Sequence, residues 1–182
     1  MIIGVTGTIG SGKNTVANLF VKFYRFKTLN MGDYLRKIEK ARKVKPTRNN
    51  LRKLQYEIKK KYGPDVMVDM VVSDIVERNW KNVVISGIRD PYEATTLKKK
   101  LKMKLIFVDA KPRQRFFRIK GRNRPGDPET FPEFLHFDSL EEATFHLKKT
   151  KKLAHYKIDN SKTFKDLEKQ VRAVARKLKI KK

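Results

Sequence analysis

The stretch that most constrains this chain is Gly7-Thr8-Ile9-Gly10-Ser11-Gly12-Lys13, set between two periodic segments. Met1 to Thr6 before it is a short apolar, β-branched run that reads as a buried strand. After it, Val16, Leu19, Phe20, Phe23 and Tyr24 recur at i, i+3, i+4, i+7 and i+8, one face of a helix. A strand that feeds a G-x-x-x-x-G-K turn and opens a helix is built to hold phosphate. Glycines let backbone N–H groups turn inward around the anion, and the helix N-terminus adds a positive dipole end. Lys13 is placed to span the β- and γ-phosphates of a triphosphate. Gly7, Thr8, Ile9, Gly10, Ser11, Gly12, Lys13, Asn14 and Thr15 are therefore the candidate ATP contacts. Asn14 stands where Ser or Thr usually follows the lysine, and its amide oxygen is a hard ligand that Mg²⁺ accepts.

The rest of the chain alternates short apolar runs with helical patterns. Phe26 to Asn30, Asn82 to Ile88, Lys104 to Ala110 and His155 to Ile158 read as strands. Helices are expected over 33–42, 50–61, 66–76, 92–101, 112–120 and 140–153, and in a last segment carrying Phe164, Leu167, Val171, Val174 and Leu178. Residues 121–138, with Pro125, Gly126, Pro128 and Pro132 among charges and aromatics, read as a mobile excursion. Residues 177–182 are expected to fray. Buried strands alternating with helices imply an α/β fold, a parallel sheet wrapped by helices, with ligands beyond the carboxyl ends of the strands.

Length and charge narrow the classes further. A chain of 182 residues suits one domain. It has no cysteine, which removes disulfides and thiolate metal sites. His136, His146 and His155 lack metal-ligand spacing, and no Ser-His-Asp or Cys-His arrangement has a supporting context. No apolar run approaches the roughly 20 residues of a membrane span, so a soluble, cytoplasmic protein is expected. Lys and Arg number 45 against 19 Asp and Glu, a formal charge of +26. Such a surface attracts polyanions, and weak, salt-dependent nucleic-acid binding is one expectation. Solvated lysine faces with arginines gathered around phosphates are the other.

Three further segments come after the loop in a telling order: Met31-Gly32-Asp33-Tyr34-Leu35-Arg36, Ser86-Gly87-Ile88-Arg89 and Arg118-Ile119-Lys120-Gly121-Arg122. Together with the loop, they make the chain resemble the nucleoside monophosphate kinase group of P-loop kinases, adenylate kinase in particular. Gly12-Lys13-Asn14-Thr15 and Ile88-Arg89-Asp90-Pro91-Tyr92-Glu93 are also similar to deoxynucleotide-type kinases and archaeal adenylate-kinase-related proteins. Dephospho-CoA kinase shares the architecture. The resemblance implies a three-layer fold with five parallel strands in the order 2-3-1-4-5. It implies one domain over 1–182, an acceptor-binding helical insertion at about 31–75 and a lid at about 118–138. ATP with Mg²⁺ would be the donor and a small nucleotide-like acceptor the substrate. By position, Arg36 and Arg89 would hold the acceptor phosphate, Arg118 would cover the donor base, and Arg122 would neutralise the transferring group. Asp33 would stand near the reacting phosphates or simply cap its helix. Ser86 replaces the acidic residue that often ends the third strand. A different class fits the same loop: a nucleotide-dependent RNA or ribosome-associated ATPase factor using its basic surface.

Overall fold

The computed structural model describes residues 1–122, 124 and 126–181. Five parallel strands form one sheet: β1 (Ile2–Gly7), β2 (Lys27–Asn30), β3 (Val83–Ile88), β4 (Lys104–Asp109) and β5 (Tyr156–Asp159). Their order is β2-β3-β1-β4-β5, as expected. Each crossover carries helix: α1 (Lys13–Tyr24) between β1 and β2; α2 (Met31–Ala41), α3 (Arg48–Tyr62) and α4 (Val66–Glu77) between β2 and β3; α5 (Pro91–Leu101) between β3 and β4. Between β4 and β5 lie α6 (Pro112–Lys120), α7 (Phe131–Phe145) and α8 (Leu147–Lys152), and α9 (Phe164–Lys177) comes after β5.

The strands' period of two sorts their side chains between two cores. Ile3, Val5, Val84, Ile106 and Val108 face α1 and α9, while Val83, Ile85 and Leu105 face the helices on the opposite side. Trp80 packs in this second core, as a packing residue should. A third, smaller cluster of Ile9, Phe116, Ile119 and Phe134, with Phe131 against it, sits beneath the phosphate loop. Phe131 and Phe134 thus form a local core there, and Phe137 is not part of it.

Three expectations need correction. The excursion does not run to residue 138, because α7 begins at Phe131. Thr130 and Glu133 form a reciprocal capping box, and Pro132 falls in the first turn, where it starts a helix rather than breaking one. The helix expected over 140–153 is two helices, α7 and α8, separated by His146 in the left-handed region at φ 50°. The irregular segment is thereby confined to about 121–130, within which Asn123 and Pro125 lie outside the described residues.

The C-terminal tail is not frayed over 178–180. Lys179 takes φ 54°, its N–H donates to Arg176 O at 3.0 Å, and Ile180 N–H donates to Ala175 O at 3.0 Å. That is the hydrogen-bond pair of a Schellman cap. Leu178 and Ile180 fold back onto the core that holds α1 and α9. A chain shortened to residue 177 should lose about 2 kcal/mol of stability, from two half-buried aliphatic side chains. The thermal midpoint should fall by about 4–8 °C. Circular-dichroism melts of the two chains decide it; equal midpoints would mean the tail contributes nothing.

Candidate active site

The phosphate loop is held open from both flanks. Gly10 has φ 74°, and a Cβ there would lie 2.6 Å from Arg115 O. Gly12 has φ 92°, and its Cβ would lie 2.3 Å from Asn160 Nδ2. Arg115 is almost wholly buried; it donates to Ile9 O at 3.2 Å and Ala110 O at 2.9 Å, and forks onto Asp138 at 2.6 and 2.8 Å. One residue therefore ties the loop to α6 and α7. On the other side Asn160, just past β5, donates to Ser11 O at 2.8 Å. Neither brace carries a motif; both are found only when the loop after β5 and the inner face of α6 meet the glycines. Thr8 Oγ1 donates to Asp109 Oδ1 at 3.3 Å, and Lys13 Nζ donates to Gly7 O at 2.9 Å and Thr8 O at 2.7 Å. The ammonium thus waits inside the loop's own carbonyls.

Arg118 reaches across the opening and donates to Asn160 O at 2.7 Å. Ser11 Oγ and Arg118 Nη1 are buried without protein partners, and a buried polar group without a partner calls for a ligand or water.

Burial pushes the Lys13 ammonium down to about 7, helped by the positive charge of Arg89, opposed by Glu141, and helped again by Arg122 and Arg48. These charges converge on the loop from three parts of the chain. Each arginine rests on a carboxylate: Arg89 on Glu141 at 3.2 Å, with its guanidinium over the Phe145 ring, and Arg122 on Asp127 at 3.0 Å. Arg48, at the start of α3, donates to the same Asp127 at 3.0 and 2.8 Å. Arg48 and Glu141 carry no sequence signal, and Asp127 reads only as part of the lid texture. Fold proximity alone reveals the pair Arg48–Asp127, which ties α3 to the segment after α6.

Arg36 and Arg89 line one cleft with Gly32, Arg52, Gln55 and Glu93. Its free space is about 20 Å³, enough for a water and not for a nucleotide. Glu93 closes its inner end, accepting from Gln55 at 3.0 Å, Lys59 at 2.9 Å and the Arg89 N–H at 3.2 Å. Burial and Asp90 raise its carboxyl against the pull of Lys59. Asp33 lies at the exposed mouth and binds Arg36 at 2.6 Å. The N-cap of α2 is Asn30, whose side chain accepts from Gly32 N.

Among the described residues there is no group of three or more His, Asp or Glu that could hold a metal. Ser86 is buried and donates to Leu29 O at 3.4 Å. Asn14 is exposed in the first turn of α1, and its Oδ1 accepts only a long 3.4 Å bond from Asn30. That oxygen fits a Mg²⁺ held mainly by phosphates and water, the habit of this ion. No helix among the described residues is long and apolar enough to cross a membrane.

These charges set two measurable outcomes. A triphosphate in the loop returns the Lys13 ammonium toward the ordinary lysine range of about 10.4. The complex then holds a proton that the free protein lacks above about pH 7, so binding takes up a proton and weakens as pH rises past that value, by at most about tenfold per unit. Calorimetry at pH 8.5 in buffers of different ionisation enthalpy should find uptake that Lys13→Ala abolishes. Asp127→Asn should destabilise the fold by about 1–3 kcal/mol, since Arg48 is left unpaired. It should also tighten triphosphate binding by about 3–10-fold, because the ligand then meets two unclaimed guanidinium groups. Unchanged affinity would show that Asp127 does not compete with phosphate.

The AAA domain family matches residues 6–133 of the chain. A UPF0200 protein of Hyperthermus butylicus is 32% identical over 98% of this chain and 95% of its own. Another, from Pyrococcus abyssi, is 29% identical over 98% and 97%. Among solved structures, shikimate kinase from Bacteroides thetaiotaomicron is similar with a TM-score of 0.64 at 16% identity, covering 98% of both chains. A gluconokinase from Sinorhizobium meliloti is similar with a TM-score of 0.55 at 14% identity, covering 97% and 91%. At those identities the likeness concerns the fold, and the fold is that of P-loop kinases. By sequence, the chain belongs to the UPF0200 proteins and to the AAA domain family.

Proposed function

We propose that this protein transfers the terminal phosphoryl group of ATP to a small anionic acceptor, a nucleoside or deoxynucleoside monophosphate. The observation that carries the reading is the shared cleft of Arg36 and Arg89, which opens beside the loop that holds Lys13. Arg52 adds a third guanidinium, and its Nε is buried without a partner. Three guanidinium groups in one cleft favour an acceptor that already carries phosphate over a neutral polyol.

In this reading the loop amides and Lys13 hold the β- and γ-phosphates, and Arg118 lies over the donor base. Mg²⁺, held by Asn14, phosphate oxygens and water, would supply charge neutralisation at the phosphates. Phosphoryl transfer asks a protein mostly for position and positive charge. Arg122 and Arg48 leave Asp127 for the transferring group, and Arg89 leaves Glu141 for the acceptor. Each release exchanges one anion for another, so the arginines stay neutralised throughout. The movement that lets an acceptor into the tight cleft also closes the segment after α6 over the reaction and excludes water.

Arg36→Ala and Arg89→Ala should each raise the acceptor KM by about one to two decades, the loss of charge-assisted hydrogen bonds worth about 1.5–3 kcal/mol. Donor Kd should hardly change in Arg36→Ala, and in Arg89→Ala, whose charge acts on Lys13, it should change less than the acceptor KM. The assay pairs ATP with each nucleoside and deoxynucleoside monophosphate, dephospho-CoA, shikimate and gluconate. A turnover confined to the last two would replace the acceptor class. Loss of donor binding in both variants would misplace the cleft.

A further inference from the structure

All five strands are parallel, so the segments that lead into them lie at one pole of the molecule, opposite the phosphate loop. Five helices, α1, α4, α5, α8 and α9, end at that pole. The connecting residues there are basic. Arg25 and Lys27 lead into β2, Lys81 into β3, Lys102 and Lys104 into β4, and Lys179 lies just past α9. All six are exposed. Among the described residues, none of the six takes part in an ion pair.

The contrast with the other pole is chemical. There, Arg36, Arg48, Arg89, Arg115, Arg122 and Lys151 each sit on a carboxylate. Of the acids on α4, Asp74 pairs with Arg78 and Asp69 with Lys100, while Glu77, on the last turn, accepts from Ser73 and pairs with none of the six. Helix C-termini attract cations, and five of them supply about −2.5 charges in all. Six unpaired side chains exceed that, so helix-dipole compensation does not account for the pole. His155, which leads into β5, reports the same field: burial lowers its pKa first, and Lys98 and Lys104 lower it further.

We infer that this pole is a docking surface for the phosphodiester backbone of a duplex nucleic acid. From β2 to β4, with β3 and β1 between them, the sheet places five of the six over about 14 Å at about 4.8 Å per spacing. A duplex presents about 8 phosphates over that length, at about one per 1.7 Å. None of the exposed large aromatic side chains, Tyr56, Tyr62, Tyr92, Phe117 and Phe164, lies in the segments of this pole. Trp80, in the segment before β3, is half-buried in the core with Arg78 over its ring at 5.1 Å, so backbone contact to a duplex is favoured over base stacking by single strands. The surface lies away from the loop, so nucleic acid and triphosphate bind without competing.

The test uses the full chain with a labelled 24-base-pair duplex RNA, the same duplex as DNA, and vesicles containing phosphatidylserine. The variant carries Lys27→Gln, Lys81→Gln, Lys104→Gln and Lys179→Gln together. A matched control of equal charge carries Lys60→Gln, Lys61→Gln, Lys162→Gln and Lys165→Gln. Duplex binding by the native chain should fall steeply with salt. The pole variant should weaken it by at least about thirty-fold and flatten the slope of log K against log salt by about 3–4, near 0.9 per lost contact. The control should keep most of the affinity, and triphosphate binding should be unchanged in both, which also reports an intact fold. RNA and DNA results assign the duplex type. Equal losses in variant and control would overturn the pole as the site. So would vesicle binding that depends on the pole in the absence of duplex binding.

Discussion

Everything at the active end depends on one close contact: the phosphate loop passes so near Arg115 and Asn160 that Gly10 and Gly12 admit no side chain. Arg115 is the more consequential brace. Its guanidinium satisfies two loop and strand-end carbonyls and pairs with Asp138 on α7 while lying over Phe134. Without that pairing, a charge so deeply buried would be costly. With it, the loop's amides stay aimed at a common centre, and α6 and α7 are fixed against the loop at the same time. The placing of α6 and α7 and the shape of the loop are therefore coupled.

Charge is distributed by function. At the loop, burial first and then the converging positive charges hold the Lys13 ammonium down at about 7, and the guanidinium groups of Arg48, Arg89 and Arg122 are each paired with an internal carboxylate. Asp127 and Glu141 are built-in anions that hold Arg48, Arg122 and Arg89 in place. At the opposite pole the excess is unpaired and exposed. The formal charge of +26 is thus two things. One part is held on carboxylates around the loop; another is exposed at the opposite pole.

The fold was largely legible in the residues. Runs such as Val83-Val84-Ile85 and Leu105-Ile106-Phe107-Val108 are buried on both faces, which specifies parallel strands, and the Gly7–Lys13 spacing specifies a phosphate turn and a helix start directly after β1. Legibility failed where a local signal had two meanings. Pro132 reads as a breaker in the texture of 121–138, but in the first turn after Thr130 it opens α7. Residues 177–182 read as a fraying tail, but Leu178 and Ile180 close a helix and return to the core. The pattern of arginines at Arg36, Arg89, Arg118 and Arg122 marked positions; it did not say what each holds.

The sequence by itself determined a parallel α/β sheet with a triphosphate loop at the end of its first strand, because strand periodicity and glycine-lysine spacing are local properties. Only the tertiary structure decided which charges meet. Arg48 and Asp127 are 79 residues apart, Arg89 and Glu141 52, and Ser11 and Asn160 149. Pairing over such separations is set by how the crossovers bring chain segments together, and no local spacing encodes it.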